Sequence, residues 1–394
     1  MIRSTIDAPA FRSDPVAGED HRAIGGVFSQ ELELWIEVLL LIGVGLVMVY
    51  SASSIMALKK FGDASHFFRR QIACIILGIG ALLAASRFSY RNYRKNIAWM
   101  FLLTVLALLL VLVPGFGSEL NGARRWFSFR FFLVQPAEFA KVVWIIFLSV
   151  SLEKKREQIT RLSIGFIPHM VLVGVLSLLL LKEPDFGTTM MLGCLTVFML
   201  MLGGVPYAYL VSLLPVAALF LYRFVYLVPY RWERITAFLN PWTDPLDSGF
   251  QLIQAWIAVG SGGILGKGLG QGQQKLFYLP ESFTDFILAV IGEELGFVGI
   301  VGVCTLFLLL FQTGMRISRS AVDYLGSLMA FGLTLMLTLQ AIMNIGVVLG
   351  LFPTKGLPLP FISYGGSAFV ANCIAVGILM NIARTSRNRV KQDV

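Results

Sequence analysis

The fold follows from one stretch of the chain, Leu279-Pro280-Glu281-Ser282-Phe283-Thr284-Asp285-Phe286-Ile287, which continues through Glu293-Glu294-Leu295-Gly296-Phe297. A long polar, glycine-rich loop precedes this stretch, and an apolar run that reaches about Gln312 follows it. Its carboxylates, Glu281, Asp285, Glu293 and Glu294, therefore lie where the chain passes from water into a very hydrophobic helix. Because acidic residues within or beside a membrane span are costly, each of them is a candidate for a functional site.

Helix capping is the other interpretation of this stretch. The tetrapeptide Ser282-Phe283-Thr284-Asp285 fits a capping box, with Ser282 as the N-cap and Asp285 three residues later. An acidic residue at that position also interacts favourably with the helix dipole. The spacing leaves a cap and a chemically active carboxylate equally open, and the two roles are compatible.

The composition indicates a membrane protein. Hydrophobic residues make up 57% of the 394 residues and charged residues only 14%, whereas soluble domains carry roughly 25% charged residues. The apolar runs are continuous rather than alternating, which indicates an all-α, polytopic membrane protein and excludes an outer-membrane barrel. The net charge of +9 is typical of basic flanks of membrane helices, and no basic face with interleaved aromatic residues suggests nucleic-acid binding.

The cysteines argue against a metal site and a disulfide framework. Cys74, Cys194, Cys304 and Cys373 all lie inside apolar runs, and no two of them form a CxxC pair. We interpret them as small buried hydrophobic residues, and the sequence predicts no metal site.

Ten apolar runs predict ten transmembrane helices. A polar tail over residues 1–33 precedes a single membrane domain over 34–383, and a basic tail over 384–394 follows it. The N-terminal tail has no apolar segment behind a basic start, so we interpret it as a tail rather than a signal peptide. The predicted spans are 34–52, 70–87, 97–113, 136–152, 163–181, 187–203, 205–227, 285–312, 323–350 and 364–383.

The distribution of lysine and arginine predicts the orientation of these spans. With the N-terminus inside, the inner loops and tails hold roughly twice as many of these residues as the short outer loops. We therefore expect both termini in the cytoplasm, with the long loop 228–284 and Asp285 on the outer face. The first five spans show no sequence echo of the last five, which counts against a transporter built from two matched halves.

The second outer loop and the helix after it hold the next candidates. Arg124, Arg125 and Trp126 end the run Asn121-Gly122-Ala123-Arg124-Arg125-Trp126, and Glu138 and Lys141 follow at i, i+3 spacing on the fourth helix. Glu138 and Lys141 could form a local ion pair that carries both charges into lipid, or the charged wall of a cavity. Arg124 and Arg125 would face anionic headgroups, and Trp126 alone would be typical of an interfacial anchor.

Two further loops carry motifs that are weak by themselves. The turn Glu183-Pro184-Asp185 opens a helix, with Asp185 as its expected N-cap. The last outer loop, 352–367, is rich in proline and glycine, and its reactive-looking polar groups are Lys355 and Ser363.

The run Gly260–Gly270 looks like a phosphate cradle but fails the P-loop test. Ser261 stands where the first glycine belongs, and Gly268 replaces the Ser or Thr after the lysine. Close packing of the backbone is the better interpretation, although Lys267 and Lys275 remain candidates for contact with a lipid pyrophosphate.

Taken together, these motifs resemble the SEDS family (shape, elongation, division and sporulation), the polytopic peptidoglycan polymerases of bacteria. The resemblance covers nearly the whole chain beyond the N-terminal tail. It resembles the division members more than the elongation members, through FLNPWTDPLDSGFQLIQ and the QK before FYLP. The motifs that occur in the family's order are NGARRW, QPAEFAK, EPDFGT, GSGGILGKGLG, LPESFTDFI, GEELGF and LPLPFISYGGS.

The resemblance implies polymerisation of lipid II on the outer face of the bacterial cytoplasmic membrane, at the division septum. A hydroxyl of the acceptor displaces undecaprenyl pyrophosphate from the growing chain, with inversion, and Asp285 corresponds to the family's essential aspartate. A positioned general base of this kind contributes about 10²–10⁴-fold in rate. The substrate-binding residues that the resemblance suggests are Arg124, Arg125 and Lys141 for the pyrophosphate, Lys355 and Ser363 beside them, Glu138 to orient Lys141, and Trp126 to stack on a sugar.

Some positions are expected to support the reaction rather than take part in it. Glu293 and Glu294 match the family's paired glutamates, and we interpret them, with Asp185, as structural. The residue before Thr284 is commonly histidine in the family and is Phe283 here, so no imidazole chemistry is expected at that position.

The resemblance also implies partners. These are a class B penicillin-binding protein (a transpeptidase with one membrane helix), other membrane proteins of the division machinery and membrane lipid, with no nucleic acid. The sequence requires no cofactor, although a departing pyrophosphate is compatible with a divalent cation, Mg²⁺ or Mn²⁺. Two other functions stay open at this stage: a flippase that moves lipid II across the membrane, and a scaffold without catalytic activity.

Overall fold

The chain folds as a helical bundle that carries a small sheet at one end. The computed structural model describes residues 20–120, 122–129, 133–276, 278–354 and 356–393. The strands are β1 (Gly117–Leu120), β2 (Ala123–Ser128) and β3 (Leu133–Val134). The α-helices of the described residues are α1 (Asp20–Phe61), α2 (His66–Arg87), α3 (Tyr93–Leu112), α4 (Pro136–Lys154), α5 (Ile167–Lys182), α6 (Phe186–Leu202), α7 (Tyr207–Val211), α8 (Leu213–Leu221), α9 (Pro229–Leu239), α10 (Phe250–Gly262), α11 (Ile287–Ser320), α12 (Tyr324–Val348) and α13 (Gly366–Asp393).

Helices occupy all ten predicted spans. In the part of the chain that the structure describes, eight helical segments are long and apolar enough to cross a membrane. Helix α6 is apolar but shorter, and α4 carries Glu138, Lys141 and Glu153 within its 19 residues. The prediction of a polytopic, all-α membrane protein is confirmed.

The first and the last helix of the chain extend beyond the predicted spans. Helix α1 begins at Asp20, inside the predicted N-terminal tail, and α13 continues to Asp393, through most of the predicted C-terminal tail. Their charged ends pair, because Arg384 and Arg387 of α13 each lie 2.9 Å from the carboxylate of Glu31 of α1. Ion pairs between the two helices stabilise turns that hydropathy alone does not predict.

Helices α12 and α13 lie at the centre of the bundle. In the most apolar stretch of each helix, 72% of the residues of α12 and 78% of those of α13 are buried. The corresponding share for the segment Tyr207–Tyr226 is 6%. Helix α2 packs closely on α13 through glycines, since a Cβ atom on Gly377 would lie 2.4 Å from the carbonyl oxygen of Leu82. Small residues of this kind let membrane helices approach closely.

The small sheet is a feature that the all-α prediction did not include. Its strands are antiparallel in the order β1-β2-β3, with Leu120 paired to Ala123 across a tight turn. Gly122 sits in that turn with a φ of +74°, which suits glycine. Strand β2 carries Arg124, Arg125 and Trp126, so the sheet fixes the direction of three predicted site residues.

Helix α11 is kinked where the glycine-rich loop crosses it. Gly296 has φ 68° and ψ −163° inside the helix, and a Cβ atom there would lie 2.3 Å from the backbone nitrogen of Gly266. A Cβ atom on Gly262 would lie 1.9 Å from the carbonyl oxygen of Gly292. Close packing of the backbone, predicted for this loop, is confirmed.

Candidate active site

The turn that carries Asp285 is not a capping box. Helix α11 begins at Ile287, and its N-cap, Phe286, makes no side-chain capping bond. The backbone N–H groups of Thr284 and Phe286 both donate to the carbonyl oxygen of Glu281, at 3.2 and 3.1 Å. Because this turn ends before the helix begins, the capping box that the spacing left open for Ser282 and Asp285 does not form.

The turn is held from behind by α12 and by the last outer loop. The side-chain amide of Asn344 donates to the backbone oxygens of Asp285, at 2.7 Å, and of Leu357, at 2.8 Å. The hydroxyl of Ser363 donates to the oxygen of Thr284 at 2.5 Å and accepts from the N–H of Leu359 at 2.8 Å. Ser363 is buried and bonded to the backbone, so it supports the turn. From the sequence we had expected it to bind substrate.

Asp285 faces a cavity of about 920 Å³. Helix α2, strand β2, helix α9 and the loops before α6, α11 and α13 all contribute to its wall. The charged residues in the wall are Arg70, Arg125, Arg231, Arg234, Asp185, Glu281 and Asp285. Four cations against three carboxylates make this a cavity suited to an anionic ligand.

The surroundings of Asp285 weaken its acidity. Burial, and after it the charge of Glu281, raise the pKa of Asp285 to about 7 against the opposing charges of Arg125 and Arg234. A carboxylate with a pKa near the working pH can both be ionised and accept a proton effectively. The site therefore has the electrostatics of a general base.

Arg125 is fixed in the cavity by backbone oxygens. Its Nε donates to the oxygen of Glu183 at 2.7 Å, and its Nη2 donates to the oxygen of Pro184 at 2.8 Å. Its guanidinium lies 6.0 Å from the ring centre of Trp126, which also lines the cavity. Arg124 instead pairs with Glu119 at 3.0 Å and is not among the residues of the cavity wall.

Asp185 caps helix α6, as the sequence predicted. Its carboxylate accepts from the backbone N–H of Thr188 at 3.0 Å and from the hydroxyl of Thr188 at 2.8 Å. It also lines the cavity beside Arg125. The negative charge of Asp185 is thereby tied to the first turn of α6, where the helix dipole favours it.

Glu138 and Lys141 form a buried ion pair at 2.8 Å. Neither of them lines the cavity, contrary to the charged wall that the sequence left open. Lys141 also donates to Gln340 at 2.9 Å, and the amide of Gln340 donates to the oxygen of Pro358 at 2.8 Å. Among the residues that the structure describes, Gln340 therefore links the pair to the loop around Asp285.

Glu293 and Glu294 occupy the phosphate-like cradle of the glycine-rich loop. The backbone N–H groups of Gln273 and Gln274 donate to Glu293 at 2.9 and 3.1 Å, and that of Gly270 donates to Glu294 at 3.0 Å. The two carboxylates also take up both lysines that had been candidates for a pyrophosphate: Lys267 pairs with Glu293 at 2.9 Å, and Lys275 with Glu294 at 2.6 Å. The cradle thus binds carboxylates of the protein itself.

Several residues of the site were not identified from the sequence. Arg231 and Arg234 stand at i, i+3 on α9, a spacing that places both on one face, and Arg70 opens an apolar span. Gln340 and Asn344 stand at i, i+4 inside the apolar helix α12, and that polar spacing was the available signal. Lys355, predicted to bind substrate, lies outside the described residues.

The described residues offer no protein-only metal site. Across the ranges that the structure covers, no group of three or more His, Cys, Asp and Glu side chains is arranged to hold a metal ion.

Comparisons with known proteins agree with this architecture. A family model described as a cell cycle protein of the FtsW, RodA and SpoVE type matches residues 32–388. A protein of Geobacter metallireducens named as a probable peptidoglycan glycosyltransferase FtsW is 46% identical over 359 residues, which cover 90% of this chain and 96% of that protein. The stage V sporulation protein E of Bacillus subtilis is 44% identical over 360 residues, 91% of this chain and 98% of that protein. A solved structure described as a peptidoglycan synthase complex that coordinates polymerization and crosslinking has a TM-score of 0.74 and 29% identity, covering 90% of this chain and 97% of that one.

Proposed function

Since this chain belongs to the family of cell cycle proteins that includes FtsW, RodA and SpoVE, we propose that it is a peptidoglycan glycosyltransferase that polymerises lipid II during cell division. It is a multi-pass membrane protein. The observation that carries the proposal is the cavity in which the Asp285 carboxylate faces four arginines. A base next to a cationic surface is what a glycosyl transfer with a diphosphate leaving group requires.

Asp285 is the proposed general base. Its carboxylate removes the proton from the attacking hydroxyl of the acceptor sugar, and that oxygen forms a bond to the anomeric carbon of the donor. The bond between the anomeric carbon and the phosphate oxygen breaks, and the electron pair leaves with undecaprenyl pyrophosphate. The attack from the opposite side inverts the anomeric carbon. The pKa of about 7 supports this role, since the group is ionised in part of the molecules at neutral pH.

Arg125 and Arg234 are the proposed partners of the leaving diphosphate. Both arginines line the cavity and lie close enough to Asp285 for their charges to lower its pKa, so a donor bound beside the base is within their field. Preorganised cations there stabilise the negative charge that develops on the leaving group. Arg125 is the better oriented of the two because the Glu183 and Pro184 oxygens fix its guanidinium.

Trp126 and the divalent cation are the remaining parts of the proposal. Trp126 lies in the cavity wall next to Arg125, and this position supports the proposal that its ring stacks on a sugar. A divalent cation would arrive with the diphosphate of the substrate. A chelator that removes Mg²⁺ and Mn²⁺ from the assay tests that cation directly.

The partner and the location follow from the family and from the structural relative. A solved structure that is similar to this chain is described as a peptidoglycan synthase complex with coordinated polymerization and crosslinking. We infer that this chain also works beside a transpeptidase, a class B penicillin-binding protein, in the bacterial cytoplasmic membrane at the septum. The cavity and Asp285 then face outward, where lipid II carries its sugars after translocation.

The experiment is polymerisation of purified lipid II by the purified protein, with and without its cognate transpeptidase. Wild type is compared with Asp285→Asn and with Asp63→Asn, a matched control whose carboxylate pairs with Arg69 and is not part of the cavity wall. We expect glycan strands from wild type and from the control, and none from Asp285→Asn at equal thermal stability. Equal polymer from all three would remove Asp285 as the base, and no polymer from wild type beside its partner would overturn the glycosyltransferase.

A further inference from the structure

Glu183 is buried in a way that ordinary structural roles do not explain. Its side chain is fully buried, and neither carboxyl oxygen makes a hydrogen bond to the described residues. The nearby guanidinium of Arg125 bonds instead to the backbone oxygens of Glu183 and Pro184. The carboxyl group of Glu183 therefore lies near a guanidinium that makes no hydrogen bond to it.

The absence of donors fixes the protonation state of this group. An ionised carboxylate buried without hydrogen bonds costs several kcal/mol, and such a group keeps its proton instead. Burial, and after it the charge of Asp185, raise the pKa of Glu183 to about 9 against the opposing charge of Arg125. These two charged groups, one on the same turn and one on β2, are those whose fields reach the carboxyl.

We propose that Glu183 is a positioning residue for Arg125: its uncharged carboxyl leaves the charge of the guanidinium available to an anionic ligand in the cavity, while its backbone oxygen sets the direction of the guanidinium. Two of the five N–H donors of Arg125 bond to the backbone oxygens. The other three make no hydrogen bond to the described residues, and the guanidinium lines the cavity. A diphosphate is the ligand that this set of donors fits, because guanidinium and phosphate pair in bidentate geometry.

Ionisation of Glu183 would remove this arrangement. A negative carboxylate beside Arg125 would bind the guanidinium as an ion pair, and the charge seen by a ligand in the cavity would fall. Arginine itself stays protonated at any pH used in the assay, so a loss of binding near pH 9 does not come from the guanidinium. Binding of the diphosphate should therefore weaken as the pH rises through the pKa of Glu183.

This inference rests on the proposed function, because lipid II is the anionic ligand used in the test. The KM of lipid II and the kcat are measured for wild type and Glu183→Gln, each with its transpeptidase partner, between about pH 7 and about pH 10. Glutamine has the shape of the protonated acid but no proton to lose. We expect the KM of wild type to rise by about tenfold per pH unit above about pH 9, and the KM of Glu183→Gln to stay flat across the same range.

A second measurement reads the proton itself. The infrared carbonyl band of a protonated carboxylic acid is compared at pH 7 between wild type and Glu183→Gln, without substrate. We expect the difference spectrum to contain one acid band that disappears in the variant. This readout does not depend on activity or on the identity of the ligand.

The outcomes separate the inference from the proposed function. If wild type makes no polymer at any pH, the glycosyltransferase fails and the infrared band still decides the state of Glu183. If wild type polymerises lipid II but both proteins share one alkaline limb, or the acid band is missing from wild type, the positioning role of Glu183 is overturned.

Discussion

The side-chain amide of Asn344 donates a 2.7 Å hydrogen bond to the backbone oxygen of Asp285, across 59 residues of sequence. The same amide donates to the oxygen of Leu357, so one side chain on α12 fixes both the turn that carries the base and the loop opposite it. A Cβ atom on Gly356 of that loop would lie 2.9 Å from Oδ2 of Asp285, which shows how closely the loop approaches the carboxylate.

Removal of this amide should damage catalysis more than substrate binding. In Asn344→Leu, the turn loses its support while the shape of the buried side chain is roughly kept, and a displacement of about 1 Å of a reacting group costs on the order of 10²-fold in rate. We expect kcat to fall by about tenfold to about 100-fold, with a smaller change in KM. Steady-state polymerisation of lipid II measures both.

Ser363→Ala serves as the comparison for this variant. It removes the bonds of Ser363 to Thr284 and Leu359 on the opposite side of the same turn. If neither variant lowers kcat while both fold normally, the turn is rigid without these side chains and the supporting role is wrong.

The pH dependence of catalysis should respond to Glu281. Asp285 must be ionised to accept a proton, and its pKa is about 7, so kcat should fall as the pH drops through about 7. The negative charge of Glu281 raises that pKa, so Glu281→Gln should move the acid limb of the profile to lower pH. Arg234→Gln removes a charge that lowers the pKa and should move the limb to higher pH.

Profiles of kcat against pH for these variants and wild type make the comparison. Shifts of the limb in opposite directions for the two variants are the expected signature. A limb that stays in place in both would mean that a group other than Asp285 controls the profile.

The sequence predicts the helices well but not the contacts between them. Continuous apolar runs mark the spans, because every backbone polar group in lipid must be satisfied inside its own helix. The capping box at Ser282 failed because a turn closed onto the carbonyl oxygen of Glu281 lies where the helix would have begun, and tetrapeptide spacing does not predict a turn of that kind. The three-stranded sheet was missed because its strands are short and lie between two long apolar runs.

The site was predicted in part, and for different reasons at different residues. Asp285 and Trp126 belong to motifs, so their presence in one cavity was expected. The contact between Lys141 and Gln340 was not expected, because Gln340 lies 199 residues away and is a single polar residue in an apolar helix. The sequence did not identify Glu183 beyond its position in a turn. Its burial without a hydrogen-bond partner depends on residues that pack around it in the folded chain.

The buried pair of Glu138 and Lys141 should couple strongly in stability. Lys141→Met leaves the carboxylate of Glu138 buried without its cation, and the loss of one partner of a buried pair costs about 3–5 kcal/mol. Glu138→Gln should cost a comparable amount, and the double variant should recover most of the loss because no unpaired charge remains. Thermal unfolding of the four proteins in one detergent measures the coupling.

The same set of variants tests whether Lys141 contacts substrate. Because the pair lies behind the cavity wall, the double variant should keep a KM for lipid II within about threefold of wild type. A KM that rises by about 100-fold in a stable double variant would instead return Lys141 to the binding of the pyrophosphate.

Two glycines of α10 make the last test, since they lie two residues apart and differ in what surrounds them. A Cβ atom on Gly262 would lie 1.9 Å from the carbonyl oxygen of Gly292, whereas one on Gly260 would meet nothing within 4 Å. Gly262→Ala must push α10 away from the first turns of α11 and should destabilise the protein by about 1–3 kcal/mol. Gly260→Ala should be neutral or stabilising, because alanine restricts the unfolded chain and favours the helix.

The displacement in Gly262→Ala would also move the turn of Asp285, so the kcat of this variant should fall at temperatures where it is still folded. Equal melting temperatures for the two variants would mean that α10 and α11 are not packed as closely as the backbone distances indicate.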